Sequence, residues 1–72
     1  MKPGDKIIWD SAFGYDLGFY QSDKGVSYET CLVKLVTGPA QGKLSVPKHE
    51  VLPYTTQNYK KTAAKYGYTT EF

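Results

Sequence analysis

The fold is decided by the stretch Thr30–Glu50, TCLVKLVTGPAQGKLSVPKHE. Together with the two residues before it, this stretch predicts a strand over Tyr28–Thr37, a turn at residues 38–42 with glycine at both ends, and a second strand over residues 43–46. Side chains alternate between the two faces of a strand, so one face of this hairpin is apolar. We expect its core to consist of Cys31, Val33, Leu35, Leu44 and Val46.

Shorter strands are predicted on either side of this hairpin. Residues 3–10 combine turn chemistry with the β-forming residues of a first strand. Residues 11–18 form a loop with two glycines, and residues 18–22 form a second strand. The proline after residue 46 cannot donate a ladder hydrogen bond, so residues 47–50 are predicted to be one helical turn. Residues 51–52 then form a short closing strand.

The pattern changes to a helical period from Thr55 onward. Tyr59, Ala63 and Tyr66 recur at the spacing of one helix face, and we expect this face to dock on the strands. The tail Thr69–Phe72 is expected to be loose, as chain ends usually are. The chain is thus predicted as one domain, with a small β-barrel at 1–54, a C-terminal helix at 55–67 and a tail at 68–72.

The composition is that of a small globular domain. The chain has 72 residues, of which 40% are hydrophobic and 22% charged, a balance typical of folded domains. No apolar run approaches the roughly 20 residues of a membrane span. The first residues also lack the apolar stretch of a signal peptide. We therefore expect a cytoplasmic domain with no membrane partner.

Five short strands at this spacing resemble a Src-homology-3-like small β-barrel. The pattern Gly-Asp-x-Ile-x-Trp at residues 4–9, followed by Gly-x-x-x-Gly-x-Tyr at residues 14–20, resembles the opening of KOW and Tudor-type barrels of ribosomal, transcription and chromatin proteins. The pattern Gly-x-x-x-Val-Pro-x-x-x-Val at residues 42–51 resembles the end of signalling Src-homology-3 domains. The resemblance implies a five-stranded barrel that acts as a binding module.

Two departures from the signalling domains bear on the ligand. Those domains carry a tyrosine before the final valine, where this chain has Glu50, and a tryptophan pair before the central hairpin, whereas the only tryptophan here is Trp9. The resemblance therefore does not carry polyproline recognition to this chain.

The residues that perform catalysis or bind metals are sparse. The only cysteine, Cys31, lies in an apolar strand, where a buried thiol is expected. The only histidine, His49, is far from it in sequence, so neither a zinc site nor a Cys-His pair is indicated. The carboxylates are scattered, and Gly14-x-x-x-Gly18 lacks the Lys-Ser/Thr of a phosphate loop. We predict no enzyme activity, no catalytic residue, no metal and no cofactor.

The aromatic residues favour protein binding. Tyr and Trp are enriched at recognition surfaces because they offer large, fairly rigid contact areas. We predict a non-enzymatic interaction module, a small adaptor or an inhibitor of a larger protein machine. Its partner-binding residues are predicted to be Phe13, Tyr15, Tyr20 and Tyr28. Each of these could instead fill the core of a small barrel.

The alternative is a nucleic-acid or ribonucleoprotein-binding barrel. All nine basic residues are lysine, and lysine neutralises phosphates but lacks the planar fork with which arginine reads guanine. Aromatic rings would serve as stacking platforms. The predicted lysine face comprises Lys24, Lys34, Lys43 and Lys48. A third hypothesis is a structural piece of a larger assembly; the sequence does not define the oligomeric state.

Overall fold

The computed structural model describes all 72 residues. The strands are β1 (Lys6–Asp10), β2 (Tyr15–Ser22), β3 (Thr30–Leu35), β4 (Gly42–Pro47) and β5 (Val51–Pro53). A 3₁₀ helix, Lys48–Glu50, joins β4 to β5, and the helix α1 (Thr56–Tyr66) follows β5. The prediction of a mainly β chain with one C-terminal α-helix is confirmed.

All five strands belong to one antiparallel sheet with the order β4-β3-β2-β1-β5. The first four strands form a meander, and β5 returns to pair with the free edge of β1. The pairing of β2 with β3 shifts register between Tyr20 and Ser22, as a β-bulge does. The sheet is open, since no ladder joins its two edge strands, β4 and β5.

One face of the sheet carries the main hydrophobic cluster. Its buried members are Ile7, Tyr20, Cys31, Val33, Leu35, Val46 and Val51. Four of the five core residues predicted from the hairpin are in this cluster; the fifth, Leu44, is half-buried and packs against it. Trp9 also packs on its edge and donates a hydrogen bond from Nε1 to Glu50 Oε1 at 3.0 Å. This bond ties β1 to the 3₁₀ helix.

The opposite face is covered in part by α1. Ile8, Tyr15 and Leu17 are buried there. The predicted stripe of the helix, Tyr59, Ala63 and Tyr66, packs against them. Because β1 is covered on both faces, Ile7 and Ile8 are both fully buried although they point in opposite directions.

Both ends of α1 are capped, and each end lies one residue inside the predicted range 55–67. The Thr55 hydroxyl accepts a hydrogen bond from the Asn58 N–H at 3.0 Å, which is the usual N-cap arrangement. Gly67 follows the last turn with φ +78° and donates its N–H to the Ala63 carbonyl, as a left-handed C-terminal residue does. Neither helix of the chain combines the length and the apolar character needed to cross a membrane.

The boundaries of two strands differ from the prediction. β2 begins at Tyr15, so the glycine loop spans only Ser11–Gly14. Gly18 lies inside β2, where a Cβ atom would sit 2.3 Å from the Lys34 carbonyl oxygen; this glycine permits close packing of β2 on β3 rather than a loop. β3 is shorter than predicted, and Tyr28 precedes it in a turn.

The C-terminal tail is not loose but folds back on the domain. The Tyr59 hydroxyl donates to the Thr70 carbonyl at 2.6 Å. The Phe72 ring lies 5.3 Å from the ring of Phe19 and 5.1 Å from that of Tyr54, measured between centroids. The tail therefore extends the cover of the face on which α1 packs.

Candidate functional site

The four aromatic residues predicted to bind a partner fall into two groups. Phe13 is 99% exposed and Tyr28 is 94% exposed. Tyr15 and Tyr20 are only 2% and 5% exposed, and they belong to the clusters on opposite faces of the sheet. The structure therefore does not bring the four together, and only Phe13 and Tyr28 offer contact surface.

Tyr15 and Tyr20 use their hydroxyl groups within the domain. The Tyr15 hydroxyl donates to the Tyr68 carbonyl at 2.9 Å, and burial raises the pKa of Tyr15 to about 12. The Tyr20 hydroxyl donates to the Asp23 carboxylate; this bond, with burial, raises the pKa of Tyr20 to about 12. Both are structural residues with satisfied polar ends.

Phe13 stands at the tip of a tightly bonded turn between β1 and β2. Ser11 donates both its N–H and its hydroxyl to the Gly14 carbonyl, each at 3.0 Å. Ala12 donates its N–H to Asp10 Oδ1 at 3.1 Å and adopts φ +72°, a left-handed conformation that is uncommon for residues other than glycine. The turn thus has a defined shape although its apical ring is in solvent.

Asp10 connects this turn to α1. Its carboxylate accepts hydrogen bonds from Lys65 Nζ, at 2.9 Å, and from the Tyr66 hydroxyl. Partial burial acts to raise the pKa of Asp10, but these bonds and that from Ala12 outweigh it, so the pKa lies below its ordinary value. The charge of Asp10 is thus used to hold the Phe13 turn against the helix.

A groove of about 330 Å³ lies beside Phe13. Its apolar lining includes Trp9, Phe13, Pro39 and Ala40. Pro39 and Ala40 come from the turn between β3 and β4, so two turns of the sheet meet at this end of the molecule. The sequence prediction missed these two residues, because which turns line one groove depends on how the sheet bends.

Tyr28 lies in a separate groove. The lining there consists of Tyr28, Glu29, Lys48 and His49. Val26, in the same loop between β2 and β3, is also exposed. Tyr28, with charged residues of both signs beside it, can contact a protein. It lines a different groove from Phe13, so the two exposed aromatic residues do not form one surface.

The four predicted lysines are also divided. Lys34 and Lys43 are register partners on β3 and β4 and are both exposed. Lys24 lies in the loop after β2, and Lys48 lies in the groove of Tyr28. The structure adds Lys6, which lies in the same cross-strand row as Lys34 and Lys43. Alternation along β1 places Lys6 on the same face as Ile8, but the row itself depends on the registers of the other strands.

No group of three or more His, Cys, Asp or Glu residues is arranged to hold a metal ion. Cys31 is buried, and burial raises the pKa of its thiol. A thiol in this state is a poor nucleophile at neutral pH.

The chain matches no protein-family model, and no curated protein or solved structure matches it.

Proposed function

We propose that this chain is a non-enzymatic protein-interaction module that inserts Phe13 into an apolar pocket of a larger protein. The observation that carries the proposal is the 99% exposure of Phe13 at the tip of a hydrogen-bonded turn. A large apolar side chain in solvent contributes nothing to folding and gains free energy when a partner buries it. Such aromatic anchors carry much of the affinity of protein interfaces.

The shape of the turn supports this role. Binding is weakened when a flexible loop must become ordered, so an anchor on a fixed turn loses less free energy on association. The left-handed Ala12 costs of the order of 1 kcal/mol in local backbone energy. The strained residue lies directly before Phe13. Its position supports the interpretation that the turn is shaped to expose the ring.

The groove beside Phe13 completes the proposed surface. Trp9, Pro39 and Ala40 lie next to the exposed ring, and an apolar side chain of the partner would enter between them. The surface then has an anchor, Phe13, that enters a pocket of the partner, and a groove that binds a side chain of the partner. Hot spots on the two sides of an interface are often paired in this way. A small adaptor or an inhibitor of a larger protein would use such a surface.

The Src-homology-3-like barrel is part of the proposal, and the connection between the edge strands supports it. In a flat five-stranded sheet the edge strands lie about 19 Å apart, four spacings of about 4.8 Å. The link from Pro47 to Val51 includes a 3₁₀ helix, which rises only about 2 Å per residue. So short a link requires the sheet to curl and bring β4 toward β5.

The proposal is tested by replacing Phe13. Because the ring is exposed, Phe13→Ala should change the free energy of unfolding by less than about 0.5 kcal/mol. It should weaken partner binding by about 2 kcal/mol or more, as the loss of a hot-spot aromatic does. A photoreactive phenylalanine analogue at position 13 should cross-link a discrete partner in the host cell, and titration calorimetry with that partner measures the loss.

Tyr28→Ala is the matched control, because Tyr28 is an equally exposed aromatic residue in another groove. We expect this variant to bind the partner nearly as well as the native chain. Equal losses in the two variants, or no cross-link at position 13, would contradict the role given to Phe13.

A further inference from the structure

A row of lysine and phenylalanine crosses the sheet on the face that α1 covers only in part. In the strand registers, Lys6 pairs with Phe19, Phe19 with Lys34, and Lys34 with Lys43. Register partners on antiparallel strands project from the same face. The row therefore runs across β1, β2, β3 and β4, perpendicular to the strands, and the three lysines in it are exposed.

The charges in this row are not compensated. Like charges directly opposite on neighbouring strands lie about 5 Å apart at Cβ and destabilise the sheet, yet Lys34 and Lys43 occupy such a pair. The chain forms one salt bridge, between Lys65 and Asp10, so no lysine of the row has a carboxylate partner. An anion bound across the row would remove the repulsion.

Aromatic rings lie at one end of the same row. Phe19 is half-buried, and the Phe72 ring lies against it at an interplanar angle of 44° and remains 45% exposed. Lys6 Nζ lies 5.0 Å from the centroid of the Phe72 ring. The lysine ammonium groups and the phenylalanine rings thus lie next to one another along the row.

The row occupies a band between two covered regions. On one side α1 packs over Ile8 and Leu17, which share this face. On the other side the loop after β2 crosses the face, where the Val26 N–H donates to Ser45 Oγ at 2.8 Å. A chain lying along the row would therefore be held between the helix and this loop.

We propose that this band binds single-stranded nucleic acid, with phosphates on Lys6, Lys34 and Lys43 and a base stacked on the exposed ring of Phe72, which Phe19 supports from below. Lysines that follow a backbone, together with aromatic platforms, are the elements of such sites. Bases reach aromatic rings only when they are not paired in a duplex, so the single strand is favoured. Without arginine to read base edges, binding tolerates different sequences.

The test is fluorescence anisotropy of the full chain with a labelled oligothymidylate, titrated at increasing salt. Three neutralised phosphates predict a slope of log affinity against log salt of about −2, since each contributes about −0.7 for a single strand. A duplex of equal length and a poly-glutamate peptide of equal charge should bind more weakly. Absence of binding at low salt, or equal binding of the duplex or the peptide, would overturn the proposal.

Charge-matched variants locate the site. Lys34→Gln with Lys43→Gln should lower affinity at least tenfold and reduce the salt slope, without lowering the thermal midpoint. Lys48→Gln with Lys61→Gln removes the same charge elsewhere and should have little effect; equal losses in the two pairs would show unspecific attraction and reject the site.

Two further variants separate this site from the Phe13 surface. Phe72→Ala should lower oligonucleotide affinity about tenfold at an unchanged salt slope, because stacking on one ring accounts for that much; an unchanged affinity would remove the stacking role. Phe13→Ala should leave oligonucleotide binding intact, so failure of either proposal is seen independently of the other.

Discussion

At the scale of single residues, short polar side chains satisfy backbone groups where the strand ladders end. The strand β3 ends at Leu35. Two residues later, the Thr37 hydroxyl accepts a hydrogen bond from the backbone N–H of Leu17 at 2.9 Å. The same hydroxyl donates to Asp16 Oδ1 at 3.3 Å. Thr37 is itself buried, so water cannot replace it. Together with the Val36 N–H, which donates to the Leu17 carbonyl at 2.9 Å, this hydroxyl continues the pairing of β2 and β3 beyond the last residue of β3.

Replacing Thr37 with valine tests this role with little change of volume. Thr37→Val should leave the buried Leu17 N–H without an acceptor and lower the free energy of unfolding by about 1–3 kcal/mol. Urea denaturation measures the change. Thr69→Val, at an exposed position, is the control and should be nearly neutral. Equal stability of the two variants would show that the hydroxyl is dispensable.

At the scale of elements, α1 is held by its ends as much as by its face. With eleven residues, it is too short to be stable alone in water. Its N-terminus is capped by Thr55, and its C-terminal turn is tied to Asp10 through Lys65 and Tyr66. Between these points the tyrosines of its buried face pack on Tyr15.

The cap predicts a measurable loss when Thr55 is shortened. Thr55→Ala should reduce the free energy of unfolding by about 1 kcal/mol, and Thr55→Ser should restore most of it. Hydrogen exchange at the Asn58 amide should accelerate in the alanine variant, since its acceptor is gone. Thr56→Ala, one residue later and without a capping bond, should be close to neutral. If Thr56→Ala were the more damaging change, the helix would begin differently.

At the scale of the whole molecule, one sheet separates two apolar clusters, and each contains a buried tyrosine. Tyr15 lies under the helix, and Tyr20 lies in the main cluster. Neither phenol can ionise in place without bringing a charge into the core. Ionisation of these phenols at high pH would therefore destabilise the clusters on both faces of the sheet.

Stability should consequently fall in alkali. Both phenols have a folded-state pKa of about 12 against an ordinary value of 10.0. A raised pKa means that the stabilisation is complete below about pH 10 and is lost as the pH rises toward 12. Thermal midpoints measured across this range should therefore decrease. Tyr20→Phe should reduce the dependence, whereas Tyr28→Phe should not; a constant midpoint from pH 10 to pH 12 would contradict the prediction.

The sequence predicts local periodicity better than it predicts contacts between strands. The alternation of Cys31, Val33 and Leu35 identifies the core hairpin, and the period of Tyr59, Ala63 and Tyr66 identifies the docking face of α1. Gly14 and Gly18 on either side of Tyr15 predict a loop there, yet Gly18 is required by the close approach of the Lys34 carbonyl on the next strand. That requirement is not visible without the register.

The same reason explains the candidate surfaces. The sequence predicts a loop at Phe13 and the structure has a turn there, since that turn is formed by neighbouring residues. The row of Lys6, Phe19, Lys34 and Lys43 joins residues from four strands, and a shift of one residue in any strand would disperse it. Such a surface is encoded by the registers of three strand pairs together rather than by a motif.

The single tryptophan gives the domain a natural optical reporter. The chain has one tryptophan, Trp9, and seven tyrosines. Trp9 donates a hydrogen bond to Glu50 and lines the groove beside Phe13. Excitation energy absorbed by the tyrosines is transferred to this one indole, so the transfer efficiency reports the distance to the surrounding rings. The emission wavelength of the indole reports how far water enters the groove. Occupation of the groove by a partner would thus change the emission of an unlabelled chain.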